Sequence, residues 1–176
     1  MLNKIWETIT GEAREAITQE PFLEGFLTMT IIKHASLCDS VSHYLSERLE
    51  SDFLSRAELQ AVFLEAIESS PEIRQAITDD LLAIRERDPA SRGYLSPFLH
   101  YKGYHALESY RVAHWLWEEN RPHMALLLQS LISRKYAVDI HPGARIGKRM
   151  FIDHATGIVI GETAVVGDDV SMLHEV

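Results

Sequence analysis

One histidine in this chain has the neighbours that a proton-transferring group needs. His154 follows Asp153 and precedes Ala-Thr-Gly, and Asp139 lies fifteen residues upstream. An imidazole titrates near neutral pH and can take a proton from a hydroxyl, while a carboxylate on its other nitrogen fixes the tautomer and stabilises the imidazolium. If fifteen residues approximate one structural repeat, Asp139 stands a repeat below His154 and the two form such a pair. The same residues can equally be read as solvated polar positions. Asp88, in Arg87-Asp88-Pro89, is also open to a bland reading, since aspartate before proline is ordinary turn chemistry.

Two other chemistries compete. His141, His154 and His174 could be a three-histidine zinc set, with spacings of 13 and 20 residues. The gamma-class carbonic anhydrases that carry such a set on a β-helix also use a close histidine pair and have no long helical leader. Neither condition holds here, so no metal is expected. A covalent mechanism has less support still: there is no Gly-x-Ser-x-Gly elbow, and Cys38, the single cysteine, lies in a helical segment without a basic neighbour.

The element that must position His154 shows itself by period. Ile140, Ile146, Ile152, Ile158, Ala164, Val170 and Val176 put an apolar residue at every sixth position. That period matches no helix and fits a parallel β-helix, in which each hexad is one short strand plus a corner and about 18 residues close a triangular coil. Gly147, Gly157, Gly161 and Gly167 are expected at corners, where φ is positive. Ending on a column valine, without the polar cap that shields a last coil, the chain reads as carboxy-terminally truncated.

Before about residue 134 the pattern is helical. Leu59, Val62, Phe63, Ala66 and Ile67 follow one face, and Ile73, Ala76, Ile77, Leu81 and Ile84 repeat it. Ser55 with Glu58 makes a capping box, and Ser70-Pro71 and Ser96-Pro97 read as N-caps followed by proline. Phe98 to Trp117 reads as one helix, apolar around most of its circumference and therefore buried. The expected organisation is a helical domain over residues 1–135, with its own core, and the start of a β-helix over 136–176, incomplete and frayed.

Composition sets the outer limits. With 176 residues, 46% of them hydrophobic and 24% charged, the chain can form one domain or two small ones. A net charge of -9 argues against a general affinity for nucleic acid. No secretory signal is visible at the start. The longest apolar stretch, Met124 to Ser133, is far too short for a membrane span. One cysteine allows no intrachain disulfide, so a cytoplasmic location is expected.

Three stretches carry a resemblance to a known family. They are Arg87-Asp88-Pro89-Ala90; Tyr101-Lys102-Gly103-Tyr104-His105-Ala106-Leu107 with Arg111 and His114-Trp115-Leu116-Trp117; and Val138 to Pro142 through Asp153-His154-Ala155-Thr156-Gly157 to Val165. Together they resemble the amino-terminal two-thirds of the bacterial serine O-acetyltransferases. The resemblance implies an α+β chain: an all-α amino-terminal domain, then the first coils of a left-handed parallel β-helix. It implies acetyl transfer from acetyl-CoA, a co-substrate rather than a bound cofactor, to the hydroxyl of L-serine, giving O-acetylserine for cysteine synthesis.

On this resemblance His154 is the general base, Asp139 its carboxylate partner, and Asp88 and Asp153 hold the serine. No CoA-binding residue is assigned. L-cysteine is implied as a feedback inhibitor, a hexamer built as a dimer of trimers as the assembly, and O-acetylserine sulfhydrylase as a partner docked through a carboxy-terminal tail. A glycine-rich stretch with an arginine-histidine pair, which completes the serine site in the family, has no counterpart here. The other reading is a catalytically inactive assembly or regulatory fragment acting through the helical domain.

Overall fold

A computed structural model describes residues 2–175. Helix α1 (Leu2–Gln19) buries Ile5, Ile9 and Ala13, one side chain per turn. A single turn, the short α2 (Glu24–Leu27) and a wide turn over Thr28–Ile32 lead to α3 (Leu37–Leu49), which Ser36 caps by accepting from the Asp39 amide at 3.2 Å. The capping box at Ser55 and Glu58 opens α4 (Arg56–Ser69), and Ser70 caps α5 (Pro71–Arg87), as their sequences indicate.

The stretch from Phe98 to Trp117 departs from the sequence reading. It is not one helix, and Ser96 is not its cap. The short α6 (Leu95–His100) starts earlier, because the carboxylate of Glu12 on α1 accepts from the amides of Tyr94 and Leu95 at 3.0 and 2.7 Å. A side chain from another helix thus does the capping. The chain then breaks at Tyr101 and resumes as α7 (Lys102–Glu118), buried on most sides. Gly103 marks the contact of α7 with the coil. A Cβ at this position would lie 2.0 Å from the carbonyl oxygen of Ile152, so the first turn of α7 sits directly on the coil backbone. Helix α8 (Pro122–Tyr136) ends in Ala137, held at φ 55.

Six short strands follow: β1 (Val138–Ile140), β2 (Arg145–Ile146), β3 (Phe151–Ile152), β4 (Ile158–Ile160), β5 (Val165–Val166) and β6 (Ser171–Met172). They pair in parallel as β1 with β4, β2 with β5 and β3 with β6, forming the three walls of a left-handed β-helix. The register is Val138 to Ile158, Arg145 to Val165 and Phe151 to Ser171, so one coil takes 20 residues. This corrects the 18 expected from the hexads. The two additional residues sit in the corner Asp153 to Gly157, between β3 and β4.

The six-residue series survives the insertion by changing position. Strands β1 and β4 each bury their first and third residues. Ile140, paired with Ile160, is a third residue, whereas Ile158, paired with Val138, is a first one. The series therefore stays on the inner face but does not form a single vertical column. Val176 falls outside the described residues. Of the four expected corner glycines only Gly157 has positive φ, +78. The left-handed corners fall instead on Arg149, His154, Ala155 and Asp169, at φ 57 to 61.

The helices and the coil share one core. Ile9, Phe63 and Leu107 belong to the same apolar cluster as Val138, Ile152 and Ile158. The change near residue 135 is one of secondary structure, and apolar packing runs across it. Among the described residues no helix is long and apolar enough to cross a membrane.

Candidate active site

The end of α5, the start of α7 and the β3–β4 corner converge on one group of polar side chains. Pro89 cannot continue α5, so the helix stops at Asp88, whose amide still bonds to Ile84 O at 2.9 Å. One oxygen of Asp88 accepts from the Ala90 amide at 2.8 Å, the turn role expected of Asp before Pro. Its other oxygen accepts from the hydroxyl of Tyr101 at 2.7 Å, which the turn does not require. Tyr101 occupies the break between α6 and α7.

Asp153 approaches from the coil, where its amide donates to Met172 O at 2.8 Å. Burial, then the bond to Asp88, and then the charges of Asp88 and Asp153 push the Tyr101 hydroxyl up to about 12. At neutral pH it is a fixed donor to Asp88, with the charge of Asp153 nearby. The structure thus brings Asp88 and Asp153 to one spot, and that spot carries net negative charge suited to an ammonium group.

His154 tops the corner at φ 57, with its side chain 75% exposed. Its Nε2 lies 3.8 Å from an oxygen of Asp153, and its ring is 6.0 Å from that of His174, nearly perpendicular to it. The corner itself is rigidly held. Gly157 donates to Ala137 O at 2.8 Å, Glu175 donates to Thr156 O at 2.7 Å, and Lys102 Nζ donates to the Thr156 hydroxyl. An imidazole is thus presented to solvent on a fixed backbone, beside an acidic site.

Asp139 lies elsewhere. The 20-residue coil places it beside Val159, not below His154. It accepts from Gln129 at 2.7 Å and lines a cleft of about 310 Å³ with Ser133 and Arg134. Among the described residues no hydrogen bond joins it to His154. His141 stands apart as well: it accepts from the Gly143 amide at 3.0 Å and packs against Trp117, with ring centroids 5.0 Å apart. Among the described residues no group of three His, Cys, Asp or Glu side chains is arranged to hold a metal.

Sequence reasoning gave no role to Tyr101, Lys102 or Gln129. The first two lie within a stretch quoted for its resemblance, but their partners, 13 and 54 positions away, leave no periodic trace.

Residues 5–109 match the family model described as serine acetyltransferase, N-terminal. Serine acetyltransferase 1, chloroplastic, of Arabidopsis thaliana is 46% identical over 172 residues, covering 98% of this chain and 55% of that protein. The serine acetyltransferase of Salmonella typhimurium is 43% identical over 175 residues, 99% of this chain and 64% of that one. The chain therefore spans little more than half to under two-thirds of these curated relatives. The crystal structure of serine acetyltransferase from Vibrio cholerae superposes with a TM-score of 0.97 at 48% identity, covering 99% of this chain and 68% of that one. Other similar structures are serine acetyltransferases in complex with serine, with CoA and with cysteine, at TM-scores of 0.95, 0.96 and 0.96. With the family model matched over more than half its length, this chain belongs to the serine acetyltransferase family.

Proposed function

We propose that the protein transfers the acetyl group of acetyl-CoA to the hydroxyl of L-serine, with His154 as general base. The observation that carries this reading is the convergence of Asp88, Asp153 and the exposed His154 at one corner of the coil. The two carboxylates hold the serine ammonium group. The imidazole removes the hydroxyl proton as the serine oxygen attacks the thioester carbonyl. The C–S bond then breaks, and the imidazolium returns its proton to the departing CoA thiolate. Tyr101 keeps Asp88 pointed at the substrate.

Asp139 is the carboxylate partner of His154; because the coil places it beside Val159 within one chain, the pairing needs a second copy of the coil. This accords with the dimer of trimers that the resemblance implies. L-cysteine, which shares the ammonium and carboxylate of serine, competes for the same two aspartates. The sulfhydrylase partner and a cytoplasmic location complete the proposal, the latter in keeping with a single free cysteine.

The test is thiol release from acetyl-CoA with L-serine as acceptor. His154→Ala should lower kcat by about 10²- to 10⁴-fold, with assembly intact. Asp88→Asn should raise the serine KM by roughly 10- to 150-fold, the value of one charge-assisted hydrogen bond, and leave the acetyl-CoA KM unchanged. Unaltered kcat in His154→Ala overturns the base assignment.

A further inference from the structure

A second cluster of ionisable groups lies in the interior, away from the substrates. Asp80 on α5 and Glu108 and Arg111 on α7 are 0%, 2% and 8% exposed. Arg111 donates from Nε and Nη2 to one oxygen of Asp80 at 3.0 and 2.5 Å, and Nη2 also donates to Gly147 O at 2.9 Å. The other oxygen of Asp80 accepts from the Met150 amide at 2.7 Å. Glu108 lies 3.6 Å from Arg111 Nε, and neither of its buried oxygens receives a hydrogen bond.

Charge counting decides the protonation state. Two carboxyls face a single guanidinium in a site closed to water, so one carboxyl must be neutral. Asp80 is the anion, because both its oxygens are taken by donors. Glu108 is the acid, because neither of its buried oxygens accepts a hydrogen bond, and an ionised carboxylate in that position would be left without the donors that Asp80 has. Burial first and the charge of Asp80 next raise the Glu108 carboxyl well above the usual range, against the pull of Arg111. Tyr104 on α7 and Cys38 on α3 also face Glu108 and are themselves pushed up, so neither adds a charge. Arg74 faces Cys38.

The outward contacts of the cluster give it a role. Gly147 O and Met150 N are the two ends of the corner between β2 and β3, and β3 runs directly into Asp153 and His154. We infer that Asp80, Arg111 and a protonated Glu108 are positioning residues that clamp this corner and so fix the direction in which β3 delivers Asp153 and His154. The kinetic arm of the test rests on the proposed acetyl transfer, and the other two do not.

The test uses the full chain with Glu108→Gln, Glu108→Ala and Asp80→Asn. Infrared spectra at neutral pH should show the C=O band of one buried carboxylic acid, lost in Glu108→Gln. The band should also vanish in Asp80→Asn, since Glu108 must then ionise to neutralise Arg111. Exchange of the Met150 amide should be unchanged in Glu108→Gln and at least tenfold faster in Asp80→Asn. Serine turnover should be near normal in Glu108→Gln, reduced in Glu108→Ala, and in both without change in the acetyl-CoA KM. Absence of the acid band from the unsubstituted protein, or its persistence in Glu108→Gln, overturns the inference, and so does equal Met150 exchange in Asp80→Asn. If the unsubstituted chain transfers no acetyl group, the proposed function fails while the infrared and exchange arms still decide the clamp.

Discussion

Replacing Gly103 with alanine sets two well-measured effects against each other. In an exposed helix, alanine for glycine is favourable by about 1 kcal/mol, because the unfolded chain loses freedom and the helix gains a better former. At Gly103 the added Cβ would meet Ile152 O at 2.0 Å and the carbonyl carbon at 3.0 Å. Carbon and carbonyl oxygen do not approach much closer than about 3.3 Å, so helix and coil must separate by about 1.3 Å. Both partners are backbone, and no flexible side chain can yield. Overpacking of this kind costs about 1–3 kcal/mol, and the rigid contact puts the cost at the upper end. The net loss is then about 2 kcal/mol, or roughly 4–8 °C in Tm for a chain of this length. Gly11, also helical but with nothing within 4 Å of its added Cβ, is the control. Gly11→Ala should raise Tm by about 2–4 °C. Thermal unfolding followed by circular dichroism compares the two. Equal stabilisation by both substitutions would refute the claim that α7 rests on β3 through this glycine.

Burial holds the pKa of His105 down to about 4, with its Nε2 2.7 Å from Phe98 O. The unfolded chain takes up this proton near 6.5 and the folded chain does not, so stability falls as pH drops from about 6.5 to 4, by up to about 3 kcal/mol. Urea midpoints across that range should fall less steeply in His105→Gln, which keeps a donor to Phe98. Tyr101 titrates at about 12 in the folded protein and near 10 unfolded; its contribution is intact below about pH 10 and lost towards 12. Tyr101→Phe should remove that alkaline loss from a stability-pH profile. Ser55→Ala breaks the capping box of α4 and should cost about 1 kcal/mol, read as roughly 2–4 °C in Tm.

What the sequence determined by itself is what depends on near neighbours. Helix faces, the caps at Ser55 and Ser70, and the inward turn of every sixth residue after Ile140 all follow from local sterics and burial, and each can be read without knowing a partner. The short stretches around Asp88, Lys102 and Asp153 were enough to indicate the family. Tertiary structure decided everything that requires two distant segments to meet. The corner at Asp153 to Gly157 lengthens the coil to 20 residues, and this separates Asp139 from His154 despite their spacing. Glu12 caps α6 across 83 positions, and Gly103 lets α7 rest on Ile152. The Asp80, Glu108 and Arg111 cluster was not legible for the same reason. A buried charge is tolerable only beside its counter-charge, and which residues become neighbours is fixed by how helices and coil pack, not by their order along the chain.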